Sequence, residues 1–145
     1  MQDVLILNGP NLNLLGTREP GVYGSVTLAD LEAQCIRDGQ RLGLAVSCRQ
    51  SNHEGELVSA IQEAGHTGSW VVFNPGAYTH TSIALHDAII GSRCNVIEVH
   101  ISNIHARETF RHHSYIAPVA KGSIVGLGTS GYSLALQAIR DHLTT

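Results

Sequence analysis

Five short and mostly aliphatic runs, separated by amphipathic segments, are the strongest constraint on the fold of this chain. The runs occupy residues 4–7, 45–48, 70–73, 96–99 and 123–127. Each is too short for a buried helix, and an apolar run without polar alternation is typical of a strand covered on both faces. The pattern therefore predicts a parallel sheet buried between layers of helices.

Helix signals fill the segments between these runs. Thr27 followed by Asp30 predicts a capping box at the start of a helix that continues to about Leu42, where Gly43 suits the C-terminal cap. A second helix is expected over residues 54–64, ending at Gly65. Further helices are expected at residues 82–90 and 132–143, with a short helix and a loop at 105–115. Strands alternating with helices predict an α/β fold, a flavodoxin-like three-layer sandwich with a five-stranded parallel sheet, in one domain over residues 1–145.

Charge and hydropathy restrict the partners of such a domain. The 145 residues carry a formal net charge of −3, which argues against a nucleic-acid partner. Only 14% of the residues are charged and 43% are hydrophobic, so we expect part of the surface to be covered in a homo-oligomer. No apolar run approaches the roughly 20 residues of a membrane span, and no signal-type segment opens the chain. We expect a cytoplasmic protein that binds no membrane.

The cysteines and histidines do not form a metal-binding pattern. Cys35, Cys48 and Cys94 are far apart and show no C-x-x-C spacing, so we interpret them as reduced thiols. None of the nine histidines belongs to an H-E-x-x-H motif, and His112 and His113 are adjacent, which directs their side chains apart on most backbones. We predict no metal site and no cofactor.

Polar side chains gather where the predicted strands end. In open parallel sheets, ligands bind beyond the carboxyl ends of the strands. The polar residues at these ends are Asn8 and Asn11, then Gln50, Ser51 and Asn52, then residues 74–80, and finally residues 100–102. A purely structural domain does not need this clustering, so the carboxyl edge is the predicted ligand site.

The loop after the first strand carries Arg18 and Tyr23 around a Pro-Gly pair. A tyrosine has a pKa of about 10, and a neighbouring guanidinium favours the phenolate. The pair therefore suggests a base that abstracts a proton from carbon. The alternative is a loop aromatic residue that caps the core.

Glu98 and His100 end the fourth strand. The two-residue period of a strand places them on the same face, so the carboxylate can accept from one imidazole nitrogen while the other acts as an acid. A histidine at a strand end can also be structural. Beyond it, the backbone N–H groups of Ile101, Ser102 and Asn103 could hold a carboxylate.

The turn after the third strand contains Asn74 and His80. Asn74 offers a donor and an acceptor, and a neutral His80 at the start of a helix would suit a hydroxyl or carboxylate ligand. Turn formation and helix capping explain the same residues without a ligand.

Arg107 and Arg111 are four residues apart and share a face if this stretch is helical. They could simply be surface charges. Next to the end of the fourth strand, in a chain with nine basic residues, they suggest an anion clamp.

These motifs, taken together and in order, resemble those of the type II 3-dehydroquinate dehydratases. The resemblance covers nearly the whole chain and rests on six blocks. They are LNGPNLN at residues 7–13, REPGVYG at 18–24, QSNHEG at 50–55, FNPGAYTHTS at 73–82, EVHISN at 98–103 and RETFR at 107–111.

The resemblance implies a lyase that removes water from 3-dehydroquinate to give 3-dehydroshikimate, in the shikimate pathway of aromatic amino acid biosynthesis or in quinate metabolism. It implies that Tyr23 is the base, aided by Arg18 on a closing loop. Asn11 would stabilise the enolate, through a bound water, in the manner of an oxyanion site. His100, oriented by Glu98, would protonate the departing hydroxyl.

The resemblance also implies how the substrate and the subunits are held. Substrate hydroxyls and carboxylate would be bound by Asn74, His80, Ile101, Ser102 and Arg111. Asp87 would reach into the site of a neighbouring subunit, in a dodecamer built as a tetramer of trimers. Lys121, the single lysine, precedes the fifth strand, so a Schiff-base route is not expected.

Two rival functions remain open on the sequence. A flavodoxin-like module that binds a flavin or a nucleotide follows from the fold alone. An inactive homologue that serves as a scaffold would keep the fold without turnover.

Overall fold

A parallel five-stranded sheet forms the centre of the computed structural model, which describes residues 1–17 and 25–145. Arg18 and Tyr23 lie outside the described residues. The strand order is β2-β1-β3-β4-β5, with all neighbouring pairs parallel. The strands are β1 Gln2–Asn8, β2 Leu44–Gln50, β3 Trp70–Asn74, β4 Asn95–His100 and β5 Gly122–Val125. The predicted α/β fold is confirmed.

The first four strands extend one or two residues beyond the predicted runs at one or both ends, while β5 ends two residues earlier than predicted. Gly126 has a φ of +87°, which ends the extended conformation, and its N–H donates to the carbonyl of His100 at 3.0 Å. Local apolar runs therefore located the strands, and backbone pairing set their ends.

Four helices cover the sheet. They are α1 Leu28–Leu42, α2 Glu54–Thr67, α3 Ile83–Ser92 and α4 Ser130–Leu143. The capping box of α1 is confirmed, since the Thr27 side chain accepts from the Asp30 N–H at 3.1 Å while the Asp30 carboxylate accepts from the Thr27 N–H at 3.1 Å. Gly43 closes this helix in the left-handed conformation, as predicted.

The predicted end of α2 at Gly65 is wrong. The helix continues to Thr67, and Gly68 is the left-handed cap. Gly65 has a packing role instead, because a Cβ atom at this position would lie 2.5 Å from the carbonyl oxygen of Ser92 at the end of α3. The glycine lets α2 and α3 approach closely.

The segment after β4 is not one helix, so the idea that Arg107 and Arg111 share a helical face is wrong. It forms two short 3₁₀ helices, Ile104–Ala106 and Thr109–Arg111, separated by extended backbone at Arg107. Any proximity of the two arginines must come from the fold of this loop.

Two apolar clusters pack on opposite faces of the sheet. Val4 and Ile6 face the cluster formed with α1 and α4, while Leu5 and Leu7 face the one formed with α2 and α3. This alternation follows from the two-residue period of a strand. The central strands β1, β3 and β4 are therefore buried on both sides, whereas the edge strands β2 and β5, also predicted to be buried, are only partly covered because each has a neighbouring strand on one side alone. The carboxyl edge of the sheet is where polar groups can collect.

Cys35, Cys48 and Cys94 are all free thiols. No cluster of potential metal ligands occurs in residues 1–17 and 25–145. Within the same residues, no helix has the length and apolar character needed to cross a membrane.

Candidate active site

A cavity opens at the carboxyl edge of the sheet, where β1, β3 and β4 end. It brings together seven of the residues predicted for the site. They are Asn11, Asn74, His80, His100, Ile101, Ser102 and Arg111, and Arg107 joins them in the lining. The predicted ligand edge of the sheet therefore carries a concave surface with converging polar groups.

The loop that follows β2 holds the Asn11 backbone in an uncommon conformation. Asn11 has a φ of +70°, which asparagine tolerates better than most residues. Its N–H donates to Asn52 Oδ1 at 3.0 Å, and the same oxygen accepts from Gln50 Nε2 at 3.1 Å. The Asn52 carbonyl accepts from the hydroxyl of Tyr78 at 3.0 Å. Three loops thus meet at Asn52, which explains the polar residues after the second strand.

A close backbone crossing brings the ends of β1 and β3 together. The Gly9 N–H donates to the Asn74 carbonyl at 2.8 Å, and a Cβ atom at Gly9 would lie 2.5 Å from the Pro75 carbonyl oxygen. The side-chain oxygen of Asn74 accepts from the Gly76 N–H at 3.0 Å. Asn74 is therefore held at the cavity wall by main-chain contacts.

Glu98 and His100 form the predicted pair on β4. His100 Nε2 lies 2.6 Å from Glu98 Oε2, and the two side chains are only 6% and 2% exposed. The Glu98 carboxylate also accepts from three hydroxyl groups, those of Thr79 at 2.6 Å, Ser114 at 2.9 Å and Ser123 at 3.2 Å. Three hydroxyl hydrogens and one imidazole hydrogen match the roughly four lone-pair sites of an ionised carboxylate.

This surrounding set of donors keeps Glu98 charged. Burial alone raises the pKa of the Glu98 carboxyl, but the hydrogen bond and charge of His100, followed by the hydroxyls of Thr79 and Ser114, outweigh it and lower the pKa below its usual value. Because an ionised carboxylate only accepts, His100 Nε2 carries the hydrogen of this bond. Nδ1 is then the ring nitrogen that can act on a ligand.

The surroundings of His80 favour its neutral form. Burial first, and then the charges of His100 and Arg111, lower its pKa despite the opposing effect of the His113 carbonyl. That carbonyl lies 2.8 Å from His80 Nδ1 and can only accept, so Nδ1 donates and Nε2 of the neutral ring is an acceptor. The arrangement suits a hydroxyl donor from a ligand.

The predicted location of His80 at a helix start is wrong. It ends the 3₁₀ helix Gly76–His80, and α3 begins three residues later with Ser82 as its N-cap. Burial, rather than a helix terminus, is thus the main cause of the lowered pKa.

Two guanidinium groups give the cavity a positive wall. Arg107 lies 3.4 Å from the Ser102 hydroxyl through Nη1, and Arg111 Nε lies 2.9 Å from Glu108 Oε2. The Arg111 guanidinium also stacks over Phe110, 5.0 Å from the ring centroid. Among the described residues of the lining there is no carboxylate side chain. The wall suits an anionic ligand such as a carboxylate.

Asp87 does not line this cavity. It lies on α3 with its side chain 72% exposed, and its carboxylate contacts the neighbouring His86 ring nitrogen at 3.2 Å. Its side chain faces solvent in the single chain.

The sequence reasoning missed the groups that support the site from behind. Thr79, Ser114 and Ser123, whose hydroxyls donate to Glu98, are absent from the predicted site residues. Ser114 and Ser123 are 16 and 25 residues from Glu98 along the chain. No local pattern joins such positions, although a buried glutamate predicted on a central strand already implied several unseen donors.

Comparison with known proteins supports the resemblance. The family model for class II dehydroquinases matches residues 2–140. The chain is 61% identical to a 3-dehydroquinate dehydratase of Brucella canis over 94% of this chain and 87% of the relative. It is 62% identical to 3-dehydroquinate dehydratase 2 of Ralstonia nicotianae over 96% and 94% of the two chains.

Solved structures agree with these sequence matches. A type II dehydroquinase from Propionibacterium acnes superposes with a TM-score of 0.94 at 46% identity, covering 97% of each chain. A type II dehydroquinase from Butyrivibrio crossotus superposes with a TM-score of 0.92 at 44% identity, covering 99% of this chain and 98% of the other. The matches favour the lyase over the flavin-binding module.

Proposed function

This chain belongs to the class II dehydroquinase family, and from that premise we propose the roles that its residues take in dehydrating 3-dehydroquinate to 3-dehydroshikimate. The observation that carries the proposal is the Glu98–His100 pair, buried beside a cavity whose other wall carries Arg107 and Arg111. An acid and an anion-binding wall are what this substrate, a cyclic hydroxy acid, requires.

Tyr23 is the base of the proposed mechanism. It removes a proton from the carbon next to the ketone, and the electron pair of that C–H bond forms the enolate. Arg18 stabilises the phenolate form of Tyr23 by its charge. Asn11 stabilises the enolate oxygen, directly or through a water, from the cavity wall that the Asn52 contact holds in place.

His100 is the acid. Its Nδ1 donates a proton to the departing hydroxyl, which leaves as water while the enolate collapses to the conjugated enone. Glu98, held ionised by its donors, stabilises the imidazolium that exists before the transfer. Water loss therefore takes one proton from carbon through Tyr23 and returns one to oxygen through His100.

The remaining lining residues bind the substrate. Arg111 pairs with the carboxylate, together with the backbone N–H groups of Ile101 and Ser102. Asn74 and His80 bind hydroxyls, with His80 Nε2 as an acceptor. All five residues line the same cavity, so these contacts can be made to one bound molecule.

The assembly and the setting of the enzyme also belong to this proposal. We assign Asp87 to the active site of a neighbouring subunit in a dodecamer, a tetramer of trimers, because its carboxylate is exposed and does not line the cavity of its own chain. The reaction serves the shikimate pathway or quinate catabolism in the cytoplasm. A native mass of twelve subunits tests the assembly.

The decisive experiment is a spectrophotometric assay with purified protein and 3-dehydroquinate, followed at the absorbance of the conjugated enone. We expect turnover that borohydride pretreatment does not reduce, because the enolate route forms no imine. The Tyr23→Phe variant should lose turnover by orders of magnitude while it keeps its fold. Tyr115→Phe is the matched hydroxyl deletion outside the cavity lining. A folded oligomer without turnover, or a near-normal Tyr23→Phe rate, would reject the mechanism.

A further inference from the structure

The hydroxyl of Tyr132 lies buried beneath the ends of two strands that border the cavity. Tyr132 belongs to the first turn of α4 and has no exposed surface. Its hydroxyl oxygen is 2.9 Å from Asn74 Nδ2 and 2.6 Å from Asn8 Oδ1. Asn8 and Asn74 are register partners at the ends of β1 and β3. One phenol therefore contacts both side chains at this edge of the sheet.

The direction of each hydrogen bond follows from the main chain. The Gly76 N–H can only donate, so the Asn74 atom that it contacts at 3.0 Å is the carbonyl oxygen. The amide nitrogen of Asn74 then faces Tyr132 and donates to it. Because a hydroxyl has one hydrogen, that hydrogen goes to Asn8 Oδ1. Asn74 therefore donates to Tyr132, and Tyr132 donates to Asn8.

The environment keeps this arrangement in one state. Burial raises the pKa of Tyr132 above its ordinary value, which favours the neutral phenol that donates to Asn8. Within the described residues, Asn8 Nδ2 has no hydrogen-bond partner, and the bond from Tyr132 is the one that the structure shows for the Asn8 side chain. Loss of the phenol hydroxyl would remove one hydrogen bond from each amide and leave Asn74 with its bond to Gly76.

We infer that Tyr132 is a positioning residue for Asn74 and thereby contributes to substrate binding without touching the substrate. The inference rests on the role of Asn74 in the proposed function. With one bond to Gly76 alone, the amide could rotate about the side-chain axis, whereas two bonds to separate elements hold its plane. One N–H and one lone pair of Asn74 are then left in a constant direction for a hydroxyl of the ligand.

A double-mutant cycle tests the coupling. KM and kcat for 3-dehydroquinate are measured for the parent enzyme, Tyr132→Phe, Asn74→Ala and the double variant. We expect Tyr132→Phe to raise KM roughly 5- to 10-fold, the order that one lost hydrogen bond supports, with a smaller change in kcat. In the Asn74→Ala background the same change should leave KM almost unaltered, because its effect passes through Asn74.

Ile139→Val is the matched control for a disturbance of α4. Ile139 is fully buried on the same helix and belongs to the apolar cluster, so the variant loosens packing without removing a polar contact. We expect its KM to stay at the parent value when both variants are compared at matched thermal stability. An equal KM increase for Ile139→Val and Tyr132→Phe would show a general packing effect and overturn the inference.

A second variant keeps the test valid if Tyr132→Phe does not fold. Asn8→Ala removes the acceptor of the Tyr132 hydroxyl, so it should raise KM less than Tyr132→Phe and again only when Asn74 is present. Equal KM effects with and without Asn74, or none at all, would overturn the positioning role while leaving the dehydratase function intact. A parent enzyme without turnover would instead reject the proposed function.

Discussion

His100 Nε2 lies 2.6 Å from Glu98 Oε2, and both side chains are almost fully buried at the end of β4. A carboxylate that is ionised at this depth needs its remaining lone pairs satisfied, since an unpaired buried charge is costly. Thr79, Ser114 and Ser123 provide that satisfaction. The pair is therefore oriented, with Glu98 ionised, before a substrate arrives, which suits the acid role proposed for His100.

Glu98→Gln should lower kcat by about 10²-fold or more, because an amide cannot stabilise the imidazolium and its NH₂ group meets hydroxyl donors. The same conflict of donors should lower thermal stability. Turnover and thermal unfolding are measured on the same preparation. Glu63→Gln, an exposed carboxylate paired with Arg49, is the matched control and should change neither. A Glu98→Gln enzyme with parent-like kcat would remove Glu98 from the mechanism.

Ser114→Ala should move the acidic limb of the pH profile of kcat/KM to higher pH. The Ser114 hydroxyl is one of the donors that lower the pKa of Glu98, so its removal raises that pKa. The titratable and charged side chains near Glu98 and His100 on neighbouring elements are His80 and Arg111, and Ser114→Ala changes neither of them.

The same change should appear in stability. A depressed carboxyl pKa contributes stability that is present above the unfolded value of about 4.3 and is lost as pH falls through the folded pKa. For Ser114→Ala this loss should occur at higher pH, as followed by urea unfolding between about pH 3 and 7. Ser59→Ala, at an exposed serine of α2, is the control with no expected shift. Coincident profiles for Ser114→Ala and the parent would contradict the assignment.

Arg111→Ala should raise KM by about 10- to 100-fold with a smaller effect on kcat, because a charge-assisted bond to the substrate carboxylate is lost. The loss of this positive charge should also make KM less dependent on ionic strength. Steady-state kinetics at two salt concentrations measure both. Arg49→Ala removes an exposed arginine of an ion pair far from the cavity lining and serves as the control. An unchanged kcat/KM would remove Arg111 from the site.

Asn52→Ala should reduce kcat/KM although Asn52 does not line the cavity. Its side chain accepts from the Asn11 N–H, which is held at a φ of +70°. Without that acceptor the turn loses its anchor, and Asn11 no longer presents its side chain in a constant direction. We expect a loss of about 10-fold, with Asn11→Ala and the double variant showing that the effects are not additive. Additive losses would indicate a separate role for Asn52.

Much of the site could be predicted because its residues stand at the ends of predicted strands. The same-face relation of Glu98 and His100 follows from strand geometry, and the structure confirms it. The proximity of Arg107 and Arg111 was predicted for a wrong reason, since the expected helix is two 3₁₀ turns. Both arginines reach the cavity because the loop curves around the end of β4.

The location of the α2 end shows a second kind of error. Gly65 is a reasonable local stop signal, but the close packing of α3 against it uses the missing Cβ atom instead. A glycine can serve a turn or an approach between helices, and the sequence pattern is the same for both.

By itself the sequence determined the approximate positions of the five strands, the capping box of α1 and the collection of polar residues at strand ends, whereas the burial predicted for all five holds only for β1, β3 and β4. These features arise from neighbouring residues, because hydrophobic periodicity and capping act over a few positions. Only the tertiary structure decided which distant side chains form hydrogen bonds with these polar residues. The contacts of Glu98 with Ser114 and Ser123, and of Asn8 with Tyr132, join residues 16, 25 and 124 positions apart. Such contacts exist only once strand order and helix packing have placed the elements side by side.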